Sequence, residues 1–427
     1  MNWAVPLSDV TVGEEEVRAV AEALRSGWLT QGARVEEFER RFAAAVGARH
    51  AVAVTNGTAA LHLAYAAVGL KAGEEFILPA LTFVATMNAG LYLGGRPVLA
   101  DCASTDDLTL AVEDVARKIT PRTRLIVSMP YGGFCPDMAA LKELAGAKGI
   151  LLVEDACHAP LASINGRCMG TWGAAGAFSF FGNKNLTTGE GGMVVTDDEA
   201  LAARVRSLRS HGMSTLTWDR HRGYAADYDV TEVGYNYRLD EVRAAIGIAQ
   251  LAKLAESNRR RAENAAQLRK AIESLGACRR VCSAGVSPTP DAQEARRIVA
   301  GETPALPAQR SSGGFSNGLR DVPGLEIPFA NPRGHPVHHL FVILLPQGIE
   351  RAAFRAKMAE DGIQTSVHYP PLHRFSVARA IFGASSDLRV PVFDSLADRL
   401  VTLPMGPHLT PESIGRIAGA VGKALRA

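Results

Sequence analysis

The sequence predicts an α/β protein, with a large domain on a mainly parallel central sheet followed by a smaller α+β C-terminal domain. Three observations carry this. Between residue 51 and about residue 197, short β-rich runs alternate with helical segments, a pattern that gives a parallel sheet covered on both faces. From Leu239 to Leu275 the pattern becomes uninterrupted helix, as expected of an element that crosses from one domain to the next. The length, 427 residues, suits two domains, which we place at 1–255 and 256–427.

The first helix is signalled by a capping-box spacing of Thr11 and Glu14, an apolar stripe of Val17, Val20, Ala21 and Leu24, and a stop at Gly27. The predicted strands are Ala51–Val54, Glu75–Leu78, Pro97–Ala100, Leu125–Met129, Ile150–Val153, Phe178–Phe181 and Met193–Thr196. Helices Ala59–Val68, Val84–Leu93 and Met138–Ala147 fall between them. In the long helical stretch, Val242, Ala245, Ile246, Ala249 and Leu254 are the apolar positions. Residues 283 to about 318 are rich in Pro, Gly, Ser and Ala and read as a mobile insertion rather than core. Strand-like His339–Leu345, helical Glu350–Glu360, strand-like Ile363–His368 and a helix over Pro411–Leu425 complete the small domain. The chain shows no internal repeats.

A hydrophobic fraction of 47% and a charged fraction of 21% describe a globular protein with a sizeable core. The net charge of +2 argues against a nucleic-acid platform, and the densest basic cluster, Arg259 to Arg261, reads as the exposed face of a helix. No apolar run reaches the length of a membrane span, and the first residues lack the pattern of a signal peptide, so a cytoplasmic location is expected. The 6 cysteines are scattered. Cys278 and Cys282 have a spacing found in metal sites, but no second pair completes one, and no metal is expected. Cys157 reads as a small buried core residue.

The chemistry concentrates around Lys184. This lysine lies between an apolar strand-like segment ending at Phe181 and a turn containing Gly189, Gly191 and Gly192. A lysine held and partly desolvated in this way is available for Schiff-base chemistry. Upstream, the buried run Ile150–Val153 ends in Glu154, Asp155 and His158, and an acid where a central strand runs out can reach a ligand. Pyridoxal phosphate needs both groups: an amine for its aldehyde and a carboxylate that keeps its ring nitrogen protonated. Lys184 and Asp155 fit the two roles. The turn Thr55–Ala60 joins a strand to a helix whose N-terminus suits a phosphate, although a plain helix cap is the commoner origin of such a turn. Ser179 can add a hydroxyl donor there. Phe83 is either core or a stacking partner for a pyridine ring.

Taken together, Asn56-Gly-Thr-Ala-Ala-Leu-His62, Glu154-Asp-Ala-Cys-His158, Lys184-Asn-Leu-Thr-Thr-Gly-Glu-Gly-Gly192 and Gly234-Tyr-Asn-Tyr-Arg238 resemble the DegT/StrS family of pyridoxal-phosphate sugar aminotransferases, with the type I aminotransferase fold. The resemblance runs from Ser26-Gly-Trp-Leu-Thr-Gln-Gly32 to the C-terminal helix, apart from about 283–318. It implies that Lys184 forms the Schiff base and shuttles the proton, and that Asp155 pairs with the ring nitrogen. His158 would lie near the ring hydroxyl, where the family places His or Gln. Phe83 would stack on the ring, and Gly57, Thr58 and Ser179 would hold the phosphate. Asn236, by its own sequence a turn or cap residue, would reach the other subunit's cofactor, so that each site needs a homodimer. A family variant that has lost the lysine performs dehydration instead, and Lys184 therefore favours transamination. Met129-Pro-Tyr-Gly132 departs from relatives with a histidine three residues before the glycine, so no catalytic role is assigned there.

The expected reaction is a ping-pong transfer from L-glutamate to a nucleotide-linked keto-sugar in amino-sugar biosynthesis. Trp28, Thr30, His339 and His368 are candidate substrate contacts. Each also has a plain reading, Trp28 as a packing residue and the histidines as satisfied polar groups at strand ends. Two alternatives are a keto-cyclitol aminotransferase of aminoglycoside-type pathways and a cofactor-binding sensor of the same fold without turnover. The intact set of Lys184, Asp155 and Asn236 argues against the sensor.

Overall fold

The computed structural model describes residues 3–215, 218, 223, 227–275, 324–383 and 388–426. The expected insertion at 283–318 and the pair Cys278 and Cys282 lie outside these residues. A seven-stranded sheet forms the centre, from β1 (His50–Val54), β2 (Glu75–Pro79), β3 (Arg96–Ala100), β4 (Thr123–Ser128), β5 (Leu151–Asp155), β8 (Ala175–Ser179) and β9 (Gly192–Thr196). Its order is β1-β9-β8-β5-β4-β2-β3, parallel from β3 to β8, with β9 antiparallel to both β8 and β1. A short hairpin, β6 (Ser163–Ile164) and β7 (Arg167–Cys168), lies between β5 and β8. Each sheet strand falls where the sequence predicts one. The largest displacement is Ala175–Ser179 for the expected Phe178–Phe181, and Leu151–Asp155 stands for the expected Ile150–Val153, which draws Asp155 into the strand.

Strand alternation sorts side chains to two cores. Val52 and Val54 join α3 (Gly57–Ala67) and α4 (Val84–Leu91) on one face, whereas Ala51 and Ala53 join Val35, Phe38 and Phe42 of α2 (Ala33–Val46) on the other. The same alternation in β5 turns Glu154 away from Asp155. Glu154 accepts the amides of Gly170 at 2.6 Å, Trp172 at 2.5 Å and Gly173 at 3.0 Å, pinning the loop before β8. Burial dominates these amides and pushes its carboxyl from the ordinary 4.5 up to about 7. The folded state thus holds this proton more tightly than the unfolded chain, so ionising it costs stability as pH rises from 4.5 to about 7. Glu154→Gln should remove that component of the slope in melting temperature against pH. Parallel slopes for variant and wild type across this window would contradict it.

The first helix, α1 (Glu14–Arg25), forms where expected but is capped otherwise. Gly13 is the N-cap, and its amide donates to Glu16 Oε2 at 2.7 Å, so Glu16 rather than Glu14 closes the turn. Its expected apolar stripe is not the buried face. Val17 and Leu24 are more than half exposed, and Glu16 and Ala23 are buried instead.

The long helix Glu241–Glu273, roughly 50 Å at 1.5 Å per residue, spans the proposed boundary at residue 255. It begins at the N-cap Asp240, whose side chain accepts the Arg243 amide at 2.8 Å. Its last turns, with Ala265, Leu268 and Ile272, pack in a separate core with the antiparallel pair β10 (Phe341–Leu344) and β11 (Leu400–Leu403) and with helices Arg351–Glu360 and Pro411–Arg426. The expected strand Ile363–His368 does not form. Among the described residues that segment makes only single bridges, Val5 to Ile363 and Ser366 to Thr402, the second on the edge of β11 that faces away from β10. Arg259 and Arg260 are exposed as expected, but Arg261 is buried. Among the described residues no helix is long and apolar enough to cross a membrane.

Candidate active site

Sheet polarity builds the site. β1, β2, β4, β5 and β8 all end on one edge, and the segments leaving them enclose a chamber of about 870 Å³. From β5 come Asp155, Cys157 and His158, from β8 Ser179 and Lys184, from β1 Asn56, Gly57 and Thr58, and from β2 Phe83. His368 and Tyr369 close it from the C-terminal part of the chain.

At the end of β1, Asn56 caps α3 by accepting the Ala59 amide at 2.8 Å, leaving the first-turn amides beside the chamber. Ser179 lies against this turn so closely that a Cβ on Gly57 would stand 2.7 Å from the Ser179 Cβ. Gly192 meets the same constraint, because a Cβ there would stand 2.4 Å from the Asn56 carbonyl oxygen. The glycine-rich run after Lys184 is thus needed to bring β9 up to the start of α3. Amides, hydroxyls and absent side chains together make a cradle for a dianion.

Asp155 is 3% exposed and firmly held. Thr86 Oγ1 donates to its Oδ2 at 2.6 Å, so the Thr82 hydroxyl, 2.7 Å from Thr86 Oγ1, donates in turn. The Cys157 amide approaches Oδ1 at 3.3 Å. Cys157 is half-buried in the chamber wall rather than a core residue, and desolvation keeps its thiol well above the ordinary pKa.

Lys184 closes a tight turn, its amide donating to the Phe181 carbonyl at 3.0 Å. Burial holds its amine below the ordinary lysine pKa, opposed by Cys157 and Asp155. Because Cys157 stays a neutral thiol, Asp155 is the charge that counts. Nζ has His339 Nε2 as a polar partner at 3.5 Å. Asn185 fixes the tautomer of His339. Its Nδ2 donates to Asn258 Oδ1 at 2.9 Å and to the Val337 carbonyl at 3.0 Å, so its Oδ1 accepts from His339 Nδ1 at 3.1 Å. His339 Nε2 therefore presents a lone pair to Lys184.

His158 is fixed by the same logic. The Gly132 amide donates to its Nδ1 at 3.3 Å, so Nε2 carries the hydrogen and donates to the Tyr369 hydroxyl at 2.9 Å. Burial lowers the pKa of His158, His339 and His368, the last to about 4, which leaves all three rings neutral at pH 7. Burial also keeps Tyr369 protonated, so its own hydroxyl hydrogen is left to donate into the chamber.

The structure thus gathers Gly57, Thr58, Phe83, Asp155, His158, Ser179, Lys184 and His368 in one chamber, with His339 directly behind Lys184. Phe83 is half exposed, its ring 5.4 Å from that of Tyr369. Trp28 and Thr30 do not line it. Trp28 Nε1 donates to the Gln31 carbonyl at 3.0 Å, and its ring packs 5.1 Å from that of Trp218. Asn236 is exposed and bridges to Ser210, while its neighbours Tyr235 and Tyr237 stack 5.1 Å apart and line the chamber. Sequence reasoning missed Thr86 and Tyr369. The Thr82/Thr86 spacing of four at a helix start is the signal for the first. Tyr369 has no local signal, because it arrives from the far end of the chain.

Residues 10–290 and 309–422 match the DegT/DnrJ/EryC1/StrS aminotransferase family. The chain belongs to this family. As a member it is a pyridoxal-phosphate-dependent aminotransferase with the type I fold. It is similar to the spore coat polysaccharide biosynthesis protein SpsC of Bacillus subtilis (strain 168), with 34% identity, covering 98% of this chain and 97% of that protein. Among solved structures, DesV of S. venezuelae, in complex with a ketimine intermediate, is 32% identical over 99% of both chains with a TM-score of 0.80. DesI, in the presence of its TDP-sugar product, is 27% identical over 98% of this chain and 91% of its own, with a TM-score of 0.76.

Proposed function

We propose that this aminotransferase moves the amino group of L-glutamate to a nucleotide-linked keto-sugar in amino-sugar or polysaccharide biosynthesis. The observation that carries the reading is the pairing, in one chamber, of a desolvated lysine and a buried carboxylate beside a cradle for a dianion. Similarity to SpsC and to DesI, whose product is a TDP-sugar, supports the sugar acceptor.

The residues fit pyridoxal phosphate. Gly57, Thr58 and Ser179 would hold its phosphate, Phe83 would lie on its ring, and Asp155 would accept from its ring nitrogen. Tyr369, oriented by His158, would donate to its ring hydroxyl. When bound, the cofactor supplies an aldehyde that condenses with amines and a protonated ring that takes up electrons from the substrate's α-carbon. Lys184 then takes the α-proton and returns it one position along, in opposite directions in the two half-reactions. Its depressed pKa keeps part of the amine unprotonated for this task. The His339 lone pair accepts from Nζ and aims the amine, and Asn185 holds that lone pair in place. Asp155, fixed by Thr86, stays in place to balance positive charge on the ring.

In a homodimer, the exposed Asn236 of each subunit would reach the other's cofactor, and the exposed Val10, Val12, Val17, Leu24 and Phe181 would be apolar surface available for covering. The test is to incubate cofactor-loaded protein with L-glutamate and a panel of UDP- and TDP-linked keto-hexoses, reading 2-oxoglutarate. Release beyond one equivalent per site that depends on a nucleotide keto-sugar is expected. Release with keto-cyclitols alone would overturn the acceptor, and no release with any acceptor would point to a binding protein.

A further inference from the structure

Two buried asparagines, 73 positions apart, link the long helix to the turn that carries Lys184. Asn258 Nδ2 donates to the Pro160 carbonyl at 3.0 Å, and Asn258 Oδ1 accepts from Asn185 Nδ2 at 2.9 Å. Asn185 Nδ2 also donates to the Val337 carbonyl at 3.0 Å, and Asn185 Oδ1 faces His339 Nδ1 at 3.1 Å. His339 Nε2 stands 3.5 Å from Lys184 Nζ. One chain of polar contacts thus runs from the loop after β5, through the long helix and the lysine turn, to the segment before β10.

The chain has a direction. A peptide carbonyl only accepts, so it fixes which end of an amide faces it. The Pro160 carbonyl turns Asn258 Nδ2 toward itself and leaves Asn258 Oδ1 for Asn185. Asn185 Nδ2 then has an acceptor for each of its hydrogens, Asn258 Oδ1 and the Val337 carbonyl. Reversing the Asn185 amide would set its oxygen against both acceptors. Without Asn258, the reversal would face the Val337 carbonyl alone, and the unreversed amide would keep a buried hydrogen unpaired. A reversed amide would donate to His339 Nδ1 and move the ring hydrogen to Nε2. The consequence falls on Lys184, because a neutral amine has a single lone pair. When Nζ donates to Nε2, that lone pair is left for the chamber. When Nε2 carries the hydrogen, it donates to Nζ and occupies the lone pair on the side away from substrate.

We propose that Asn258 is a positioning residue for proton transfer by Lys184, acting through Asn185 and His339 to keep the lone pair of the amine free on the chamber side. The inference rests on the reading of Lys184 as the proton carrier in transamination. It adds to that apparatus a residue of the long helix that does not line the chamber. Nothing in it depends on which acceptor the chamber takes.

The test combines a tautomer measurement with kinetics. Nitrogen-15 NMR of the full-length protein, loaded with pyridoxamine phosphate and labelled in its histidine rings, reads the tautomer, with the His339 signals assigned by their loss in His339→Gln. Wild type should show a hydrogen on Nδ1 and a bare Nε2. In Asn258→Leu, which keeps the size of the side chain, the form with the hydrogen on Nε2 should appear. Its kcat for 2-oxoglutarate release from L-glutamate should fall at least about tenfold, the scale of one lost buried hydrogen bond, with KM within a few fold. Asn258→Asp keeps an acceptor for Asn185 whether or not it is ionised, and should restore both the wild-type tautomer and kcat. Asn258→Met, a more adaptable apolar replacement, decides the matter if Asn258→Leu fails to fold. A hydrogen on Nε2 in wild type would overturn the proposal. So would a wild-type tautomer and kcat in the apolar variants, or an Asn258→Asp variant as impaired as Asn258→Leu. The tautomer is read without turnover, so a failure of L-glutamate as donor would count against the proposed function and not against this lock.

Discussion

Lys184→Ala should bring transamination down to background, a loss of at least about 10⁴-fold in kcat, because one amine is both the covalent partner of the cofactor and the carrier of the substrate's proton. Among the described residues no other amine lines the chamber. His339 does not substitute for it, since it lies behind Lys184 and its pKa is held well below the ordinary value by burial. The cradle at Gly57, Thr58 and Ser179 is untouched by the substitution, so the variant should still retain pyridoxal phosphate without a covalent link. Rates of 2-oxoglutarate formation check the first half of this expectation and equilibrium dialysis the second. A variant within about tenfold of wild type would remove Lys184 from the mechanism.

Asp155→Asn should lower kcat by about 10²–10³-fold while leaving KM within a few fold, as for loss of preorganised charge stabilisation. The amide keeps the size of the carboxylate; with its oxygen facing the Cys157 amide, its Nδ2 would donate to Thr86 Oγ1 and reverse that bond, so the pocket should keep its shape. What is lost is the negative charge that holds a ring proton in place. A Thr86→Val variant keeps the charge but frees the carboxylate, and its loss should be smaller. Comparable kcat values for Asp155→Asn and wild type, with a normal cofactor content, would show that the carboxylate does not pair with the ring.

Much of this site was legible in the sequence, for a physical reason. The candidate site sits where strands end, and each strand end carries its candidate residue within a few positions: Asp155 at the end of β5, Lys184 after β8, and Gly57 after β1. Local alternation and turn residues therefore locate them. The parts that were missed depend on tertiary packing. Tyr369 meets His158 across 211 residues, and His339, expected only as a substrate contact, meets Lys184 across 155. Arg261 shows the limit from the other side. Three arginines in a row read as one solvated face, but a helix turns about 100° per residue, and the third points inward. The α1 stripe failed similarly, since apolar periodicity shows which residues share a face but not whether a single chain covers that face. Ile363–His368 has strand-like composition and lies along the free edge of β11, yet it makes one bridge there and no ladder.

The central claim is that Lys184 and Asp155 operate one bound cofactor on an amino donor. The most direct test is the visible absorption spectrum of the protein loaded with pyridoxal phosphate and titrated with L-glutamate. A yellow band is expected that glutamate converts to the shorter-wavelength absorption of pyridoxamine phosphate, with 2-oxoglutarate released in equal amount. A band absent even after added pyridoxal phosphate would contradict the account built on Lys184, and a band that glutamate leaves unchanged would contradict the assigned donor.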